Sequence, residues 1–563
     1  MKTVTRIAIL CIMLIFLTIN RVSAQVLPDT TIQKINNIFT KWNNSDSPGC
    51  AVGIVRNDSL IFASGYGMAN LEYGILNTAE TIFHMASISK QFTAYSILLL
   101  VKEGKIKLDD DIRKYLTWFP DLKVKISVHN LLNHTSGIRD QWQLLAISGT
   151  RLDDVITQDQ IVKILGKQQA LNFNPGEKYS YSNSNFTLLA EIVKSITGKT
   201  LRQYTDSAIF KPLGMNNTHF HDDYTEIVKN RSYSYERKDS IHFANSILSY
   251  SNSGATSLFT NVKDMSKWIM NLYDPKVGNQ SDIDLLTKRS KLNNGREISY
   301  AAGIVSDTWK GWRQYSHGGS DAGYRTYINA FPDLKMGFIV FGNVGDFNAG
   351  GKAYQMADLF IRDTTAHKAA VAAEQKTDSS RFFLKDKSSI MNYQGAYISD
   401  EGIDLSIEIK NNKLYYRVGD ENALLLELDS LNTWAMAVAP QVRFRFGISG
   451  KDTGIVVTTP DDTIKLKKYI KPHVDDKLLM TYTGKYYCPE LDCSYGIVLK
   501  DHNLFLTNSK YNDVKLTLAG TDHLLNNYWW MNHLVITRND MKQITGFEVN
   551  GQWVMHLRFN KIK

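Results

Sequence analysis

Apolar and polar positions along the chain fall into blocks with distinct periods. Residues 49–55 form an unbroken apolar run of strand length. Asn57-Asp58 supplies a turn, and 60–65 returns as the partner of a predicted hairpin. After Ser87 the apolar residues Phe92, Ala94, Tyr95 and 97–101 surround a helix instead of striping it, so this helix is expected to be buried on most sides and to stop at Gly104. Helical periodicity recurs at 159–165, 186–196, 262–272 and 350–361. Strands are predicted at 314–320, 324–330 and 336–342. Strands at both ends with helices inserted between them predict an α+β domain built on one antiparallel sheet flanked by helices.

The pattern changes after this region. Residues 363–387 are polar, contain neither Gly nor Pro, and read as a linker or a lone solvated helix. Beyond them an internal repeat appears, Tyr393-Gln-Gly-Ala-Tyr397 recurring as Tyr482-Thr-Gly-Lys-Tyr486. Each copy is followed by short alternating strands and closes on a strand pair, 453–457 with 463–469 and 544–549 with 553–559. Two small up-and-down β-barrels, at 388–472 and 473–563, are the natural architecture, because closure removes exposed edges. Trp529-Trp530 is expected in barrel core.

The N-terminus adds an address. Lys2 and Arg6 precede an apolar run over 7–19, and Val22-Ser23-Ala24 follows, the layout of a signal peptide over 1–24. The mature chain is then expected to be exported, to the periplasm or beyond, with no transmembrane segment; an uncleaved membrane anchor is the alternative. Loss of Lys2, Arg6 and Arg21 takes the formal net charge from +9 to +6. Spread over a long chain without runs of like charge, this balance excludes a nucleic-acid partner. Three cysteines would remain, Cys50, Cys488 and Cys493, and export leaves a Cys488–Cys493 bridge open.

The candidate chemistry lies in three separate segments. Ser87 and Lys90, three positions apart, share one helix face at the mouth of the buried helix. Tyr181-Ser-Asn183 follows the Pro175-Gly176 turn, and His317-Gly318-Gly319-Ser320 lies on a predicted strand. With Leu131-Leu-Asn-His-Thr-Ser-Gly137 and Ser257-Leu-Phe-Thr-Asn-Val-Lys-Asp264 in the same order and spacing, the domain over 25–362 resembles the serine β-lactamase-like hydrolases, the match covering about residues 30–362. That superfamily includes class C β-lactamases, penicillin-binding carboxypeptidases, D-aminopeptidases and related esterases. The resemblance implies Ser87 as the acylated nucleophile and Lys90 with Tyr181 as the groups that remove its proton. It leaves open which of the two is the proximal base, and a useful tyrosine base would need neighbouring cations to lower its pKa. It implies Asn183 as a partner of Lys90 and of substrate, and the backbone N–H groups of Ser87 and Ser320 as the oxyanion hole. Gly318 and Gly319 would let substrate lie along the strand edge.

His317 stands where class C β-lactamases carry a lysine, so the chain resembles D-aminopeptidase-like peptidases and esterases more than penicillin-recognising enzymes. Lipocalin-like barrels after the catalytic domain belong to the same resemblance. The expected function is an exported serine hydrolase that cleaves a small-molecule or peptide substrate at an amide or ester bond through an acyl-enzyme. An acyltransferase, a β-lactamase and a non-catalytic receptor are the alternatives, and the barrels are open to a ligand, a cleft-shaping or an association role. No cofactor is expected. His219 and His221 alternate on one strand face without an identified third ligand, so no metal is expected and a surface position is.

Overall fold

The computed structural model describes residues 27–364, 391–411, 413–418, 421–427, 433–436, 439–449, 452–459, 463–470, 472–520 and 522–562. The signal peptide and nearly all of the linker expected from sequence lie outside these residues. Six strands make the central antiparallel sheet: β1 (Cys50–Arg56), β2 (Ser59–Tyr66), β3 (Val305–Trp309), β4 (Trp312–Asp321), β5 (Tyr324–Phe331) and β6 (Met336–Gly342), in the order β3-β4-β5-β6-β1-β2. Period-2 alternation gives the sheet two buried faces. Val52, Ile54, Phe338 and Val340 pack with α1 (Asp29–Phe39) and the C-terminal helix of this domain, Ala349–Asp358. Ala51, Val55, Ile339 and Phe341 join the larger helical core on the opposite face.

That core is centred on α2 (Ser89–Lys102), in which twelve of fourteen residues are buried. Some of its polar side chains bond to neighbouring segments: Thr93 donates to Gly254 O at 2.8 Å, and Gln91 Oε1 accepts from Trp268 Nε1 at 2.8 Å. Around it pack α3 (Gln141–Ile147), α4 (Asn183–Thr197) and α5 (Val262–Asn271). The strand β3 was not foreseen, because Val-Ser-Asp-Thr-Trp carries little apolar signal; its hairpin with β4 places it on the sheet edge.

The all-β region forms two closed eight-stranded barrels, over 395–469 and 484–562. The repeat signature has a shared structural cause. Tyr397 donates to Tyr393 O at 2.7 Å and Tyr486 to Tyr482 O at 2.6 Å, while Lys468 and Lys561 lie over the two rings at 5.9 and 5.7 Å. The three cysteines among the described residues are free thiols. Cys488 and Cys493 face each other in register, but the Cys493 thiol turns to Ile147 O at 3.6 Å.

The barrels relate differently to the catalytic domain. The first has its own core, whereas the second shares the core of α2. The second is fastened around α3: Tyr495 and Tyr511 donate to Ile147 O and Ala146 O, each at 2.9 Å. Arg139 donates to Met555 O, His556 O and the Glu490 carboxylate at 2.8–2.9 Å. The Arg139 and Glu490 side chains are 0% and 7% exposed. Removing one member of such a pair leaves an uncompensated buried charge, so Glu490→Ala is expected to cost about 3–5 kcal/mol. Urea unfolding followed by tryptophan fluorescence measures it; an unchanged midpoint would mean that the barrel is not anchored there.

Candidate active site

The Ser87 segment enters α2 through a strained turn. Ala86 has φ 47°, and Ser87 lies in the 3-10 turn Ala86–Ile88 immediately before the α-helix. A left-handed non-glycine residue costs about 1–3 kcal/mol and is held by its surroundings. Here Thr326 Oγ1, on β5, donates to Met85 O at 2.9 Å. Gly319 on β4 packs against the same turn, and a Cβ there would collide with Met85 O and Thr326 Oγ1. Gly319 is therefore required for strand-to-turn packing. Gly318 has ordinary space around it.

The three segments singled out in the sequence converge. Lys90 Nζ lies 3.1 Å from Ser87 Oγ, 2.8 Å from Asn183 Oδ1 and 2.7 Å from Ala255 O. Tyr181 Oη lies 2.8 Å from Ser87 Oγ. Burial pushes the Lys90 ammonium down to about 7, against raising contributions from Asp140 and Asp321. In the neutral amine, two N–H groups go to Asn183 Oδ1 and Ala255 O, which have no proton to give. The lone pair then faces the Ser87 hydroxyl. Burial moves the Tyr181 phenol in the opposite direction, well above its ordinary value. The lowering of Tyr181 expected from neighbouring cations is thus reversed by desolvation. Lys90 is the better-disposed base, and Tyr181 stays protonated as a donor.

Two supports were not visible in the sequence. Asp140, fully buried, accepts from Asn183 N and Nδ2 at 2.7 and 2.8 Å and caps α3 through Trp142 N at 2.8 Å. Burial raises its carboxyl, and the Asn183 donors pull it back down. It turns the Asn183 carbonyl toward Lys90. Gly254, at φ 109°, lies against Phe186 O so closely that a Cβ would clash, and this brings Ala255 O onto Lys90.

His317 is neutral. Burial, then the Lys90 charge, depress it to about 4. It belongs to a hydrogen-bonded chain: Ser182 N donates to His134 Nδ1 at 3.2 Å, His134 Nε2 meets Tyr300 Oη at 3.2 Å, and Tyr300 Oη meets His317 Nε2 at 3.0 Å. His317 Nδ1 lies 2.6 Å from Gly318 O. One tautomer assignment satisfies every link, with Nδ1 of His134 accepting and Nδ1 of His317 donating. Tyr300, unsignalled by any motif, is the hub, and His134 is fully buried behind Tyr181.

These groups open on a cleft of about 660 Å³ lined by Ser87, Tyr181, Asn183 and residues 317–321. The strand β4 is paired with β3 only as far as Ser316, so 317–321 present a free edge on that side. The opposite wall is aromatic: Trp142 and Tyr250 stack at 4.8 Å, and Trp529 and Trp553 of the second barrel meet at 6.2 Å. Trp529 is 45% exposed, so it is not barrel core. Trp553 was expected on a strand, but the last strand starts at Leu557 and Trp553 sits in the loop before it. Of the lining residues, Asp321 is the acid and Arg325 the cation. Asp321 Oδ2 accepts from Thr256 Oγ1 at 2.9 Å.

A family model described as Beta-lactamase matches residues 35–360, and the chain belongs to that family. Among similar proteins, a D-aminopeptidase of Brucella anthropi is 26% identical over 58% of this chain and 62% of its own length. One of Brucella ovis is 29% identical over 56% of this chain and 60% of its own. The match thus spans about three-fifths of those relatives. In fold, the chain is similar to an octameric penicillin-binding protein homologue from Pyrococcus abyssi (TM-score 0.50, 21% identity, 78% of this chain and 98% of that one). It is also similar to a D-amino acid amidase from Ochrobactrum anthropi (TM-score 0.50, 20% identity, 58% and 98%).

A base role for Lys90 requires the neutral amine, so p-nitrophenyl ester hydrolysis is expected to lose kcat/KM as pH falls through about 7 and to be flat just above it. An acid limb in the carboxylate range would assign the base elsewhere.

Proposed function

We propose that the chain is a serine hydrolase of D-aminopeptidase type that forms an acyl-enzyme at Ser87. The observation that carries this reading is the placement of Lys90 Nζ, with two carbonyl acceptors on its N–H groups and Ser87 Oγ at 3.1 Å. Neutral Lys90 takes the Ser87 proton as Oγ attacks the substrate carbonyl. The N–H groups of Ser87 and Ser320 receive the oxyanion. The Tyr181 hydroxyl, 2.8 Å from Ser87 Oγ, protonates the leaving nitrogen, and Lys90 resupplies it. Water then takes the leaving-group position and the same groups run the steps in reverse. An alcohol or amine in that position gives acyl transfer.

Substrate class follows from charge and shape. A neutral His317 offers no fixed cation at its own position, and Arg325, the cation of the cleft, gives Nη1 to Ala322 O and Tyr324 O, which favours amide and ester substrates over penicillins. Asp321 supplies an acid at the free edge of β4, suited to the ammonium of an unblocked amino acid. The aromatic wall suits an apolar side chain. The retained Ser87, Lys90 and Tyr181 contacts argue against a receptor that has lost its chemistry. The basic and apolar start of the chain, ending in Val22-Ser23-Ala24, supports export. No helix among the described residues is long and apolar enough to cross a membrane.

A panel of D- and L-aminoacyl anilides, their N-acetylated counterparts, p-nitrophenyl esters and a chromogenic cephalosporin tests the reading. Unblocked D-aminoacyl anilides should be the best amide substrates. Preference for the cephalosporin or for N-blocked amides would contradict it. Asp321→Asn is expected to raise KM for unblocked substrates about tenfold or more, the worth of one charge-assisted hydrogen bond, and to leave N-blocked esters little changed. Trp529→Ala is expected to raise KM for bulky aromatic acyl groups and to spare alanyl ones; equal effects on both would remove the second barrel from substrate selection.

A further inference from the structure

A second cluster of chemistry lies away from the cleft. The short strand His219–Phe220 pairs with Leu258–Thr260, and the chain then runs through His221 to Glu226. The sequence shows two histidines and no third ligand. Folding supplies the third: Glu226 Oε2 lies 3.6 Å from His221 Nδ1 and 4.0 Å from His219 Nε2. One donor atom from each of the three residues falls within 4.8 Å of the others.

His221 is buried and His219 is partly exposed. His221 is 3% exposed, and both of its ring nitrogens, with His219 Nε2, lack hydrogen-bond partners. Buried polar atoms are rarely left so, and each asks for a ligand. The His221 ring is fixed flat against Phe259, with centroids 4.5 Å apart and planes at 7°. Arg202 orients the carboxylate, donating to Glu226 Oε1 at 2.8 Å and Oε2 at 2.6 Å, and holds Asp222 at 2.9 Å. His219, Glu226 and Arg202 border a cavity of about 500 Å³ that gives an ion and a water ligand access.

We propose that His219, His221 and Glu226 bind a divalent transition metal, with Zn²⁺ the best match. Two imidazoles and one carboxylate are an established zinc donor set, with a fourth position for water. Tetrahedral bonds of about 2.0–2.1 Å put donors about 3.4 Å apart, so donor pairs now up to 4.8 Å apart need to close by as much as about 1.4 Å, shared between two side chains. Glu226 Oε2 would exchange its Arg202 contact for the ion, while the Oε1 contact persists and aims the carboxylate. Asp222 offsets part of the added charge.

The role is structural. His221 N donates to Ser257 O at 2.7 Å, and the adjoining residues Ala255 and Thr256 hold Lys90 and Asp321. The ion would tie the 219–226 segment to the loop that supports the cleft from behind, and none of the three ligands lines the cleft.

The test uses tag-free full-length protein, stripped with chelator and titrated with Co²⁺ and then Zn²⁺. One equivalent of Co²⁺ should bind with a tetrahedral visible spectrum, be displaced by Zn²⁺ and raise the melting temperature. His219→Gln and Glu226→Gln, both at partly exposed positions, should each weaken binding by more than the roughly 10–100-fold that loss of an outer ligand partner costs. Ester hydrolysis should persist in both. Absence of stoichiometric uptake by the folded wild type would overturn the proposal. So would unchanged affinity in the two variants, which would move the metal elsewhere, for instance to the thiols of the second barrel.

Discussion

The structure of the site depends on one buried amine. Lys90 is fully enclosed, and an enclosed ammonium is costly unless every proton finds an acceptor. Its three partners come from three parts of the chain: Ser87 from the turn before α2, Asn183 from the start of α4, and Ala255 from the loop beside Gly254. Each partner is in turn held from behind, Ser87 by the strained Ala86 turn, Asn183 by Asp140, and Ala255 by the close approach of Gly254 to Phe186. The same burial that demands these partners lowers the lysine pKa and raises that of Tyr181. Desolvation thus moves the two groups in opposite directions, toward a neutral amine and a protonated phenol.

The second barrel belongs to this arrangement. Arg139 and Asp140 are adjacent, yet Arg139 reaches into the barrel and Asp140 holds Asn183. Trp553 shares the junction: its carbonyl accepts from Asp140 N at 3.1 Å while its ring lines the cleft. A shift of the barrel would therefore displace the cleft wall and the support of Asn183 together. The first barrel has its own core, and Glu401 in it pairs with Lys178 of the catalytic domain at 3.5 Å.

Much of the fold was legible because period and length are local properties. The runs that became β1, β6 and α2 are apolar enough to announce themselves, and the repeated Tyr-x-Gly-x-Tyr marks two barrels because each copy keeps the same tyrosine-to-carbonyl bond. Ser87, Lys90, Tyr181, Asn183 and His317 stood out through order and spacing, and the structure brings them together. What the sequence hid depends on tertiary neighbours. Asp140 looks like a helix cap until Asn183 arrives beside it, and Tyr300 has no motif. Trp553 fits an alternating pattern that the chain abandons to form a loop, and Glu226 joins His219 and His221 only when the segment folds back. The protonation roles were equally hidden, since burial, not residue type, distinguishes Lys90 from Tyr181.

The central claim is that the buried amine of Lys90 makes Ser87 a nucleophile. Its most direct test is mass mapping of the protein after reaction with a fluorophosphonate, for the wild type and for Lys90→Met. A single adduct on the peptide carrying Ser87, formed in the wild type and suppressed in the folded variant, is the predicted result. An adduct on another residue, or equal labelling of Ser87 without Lys90, would contradict it.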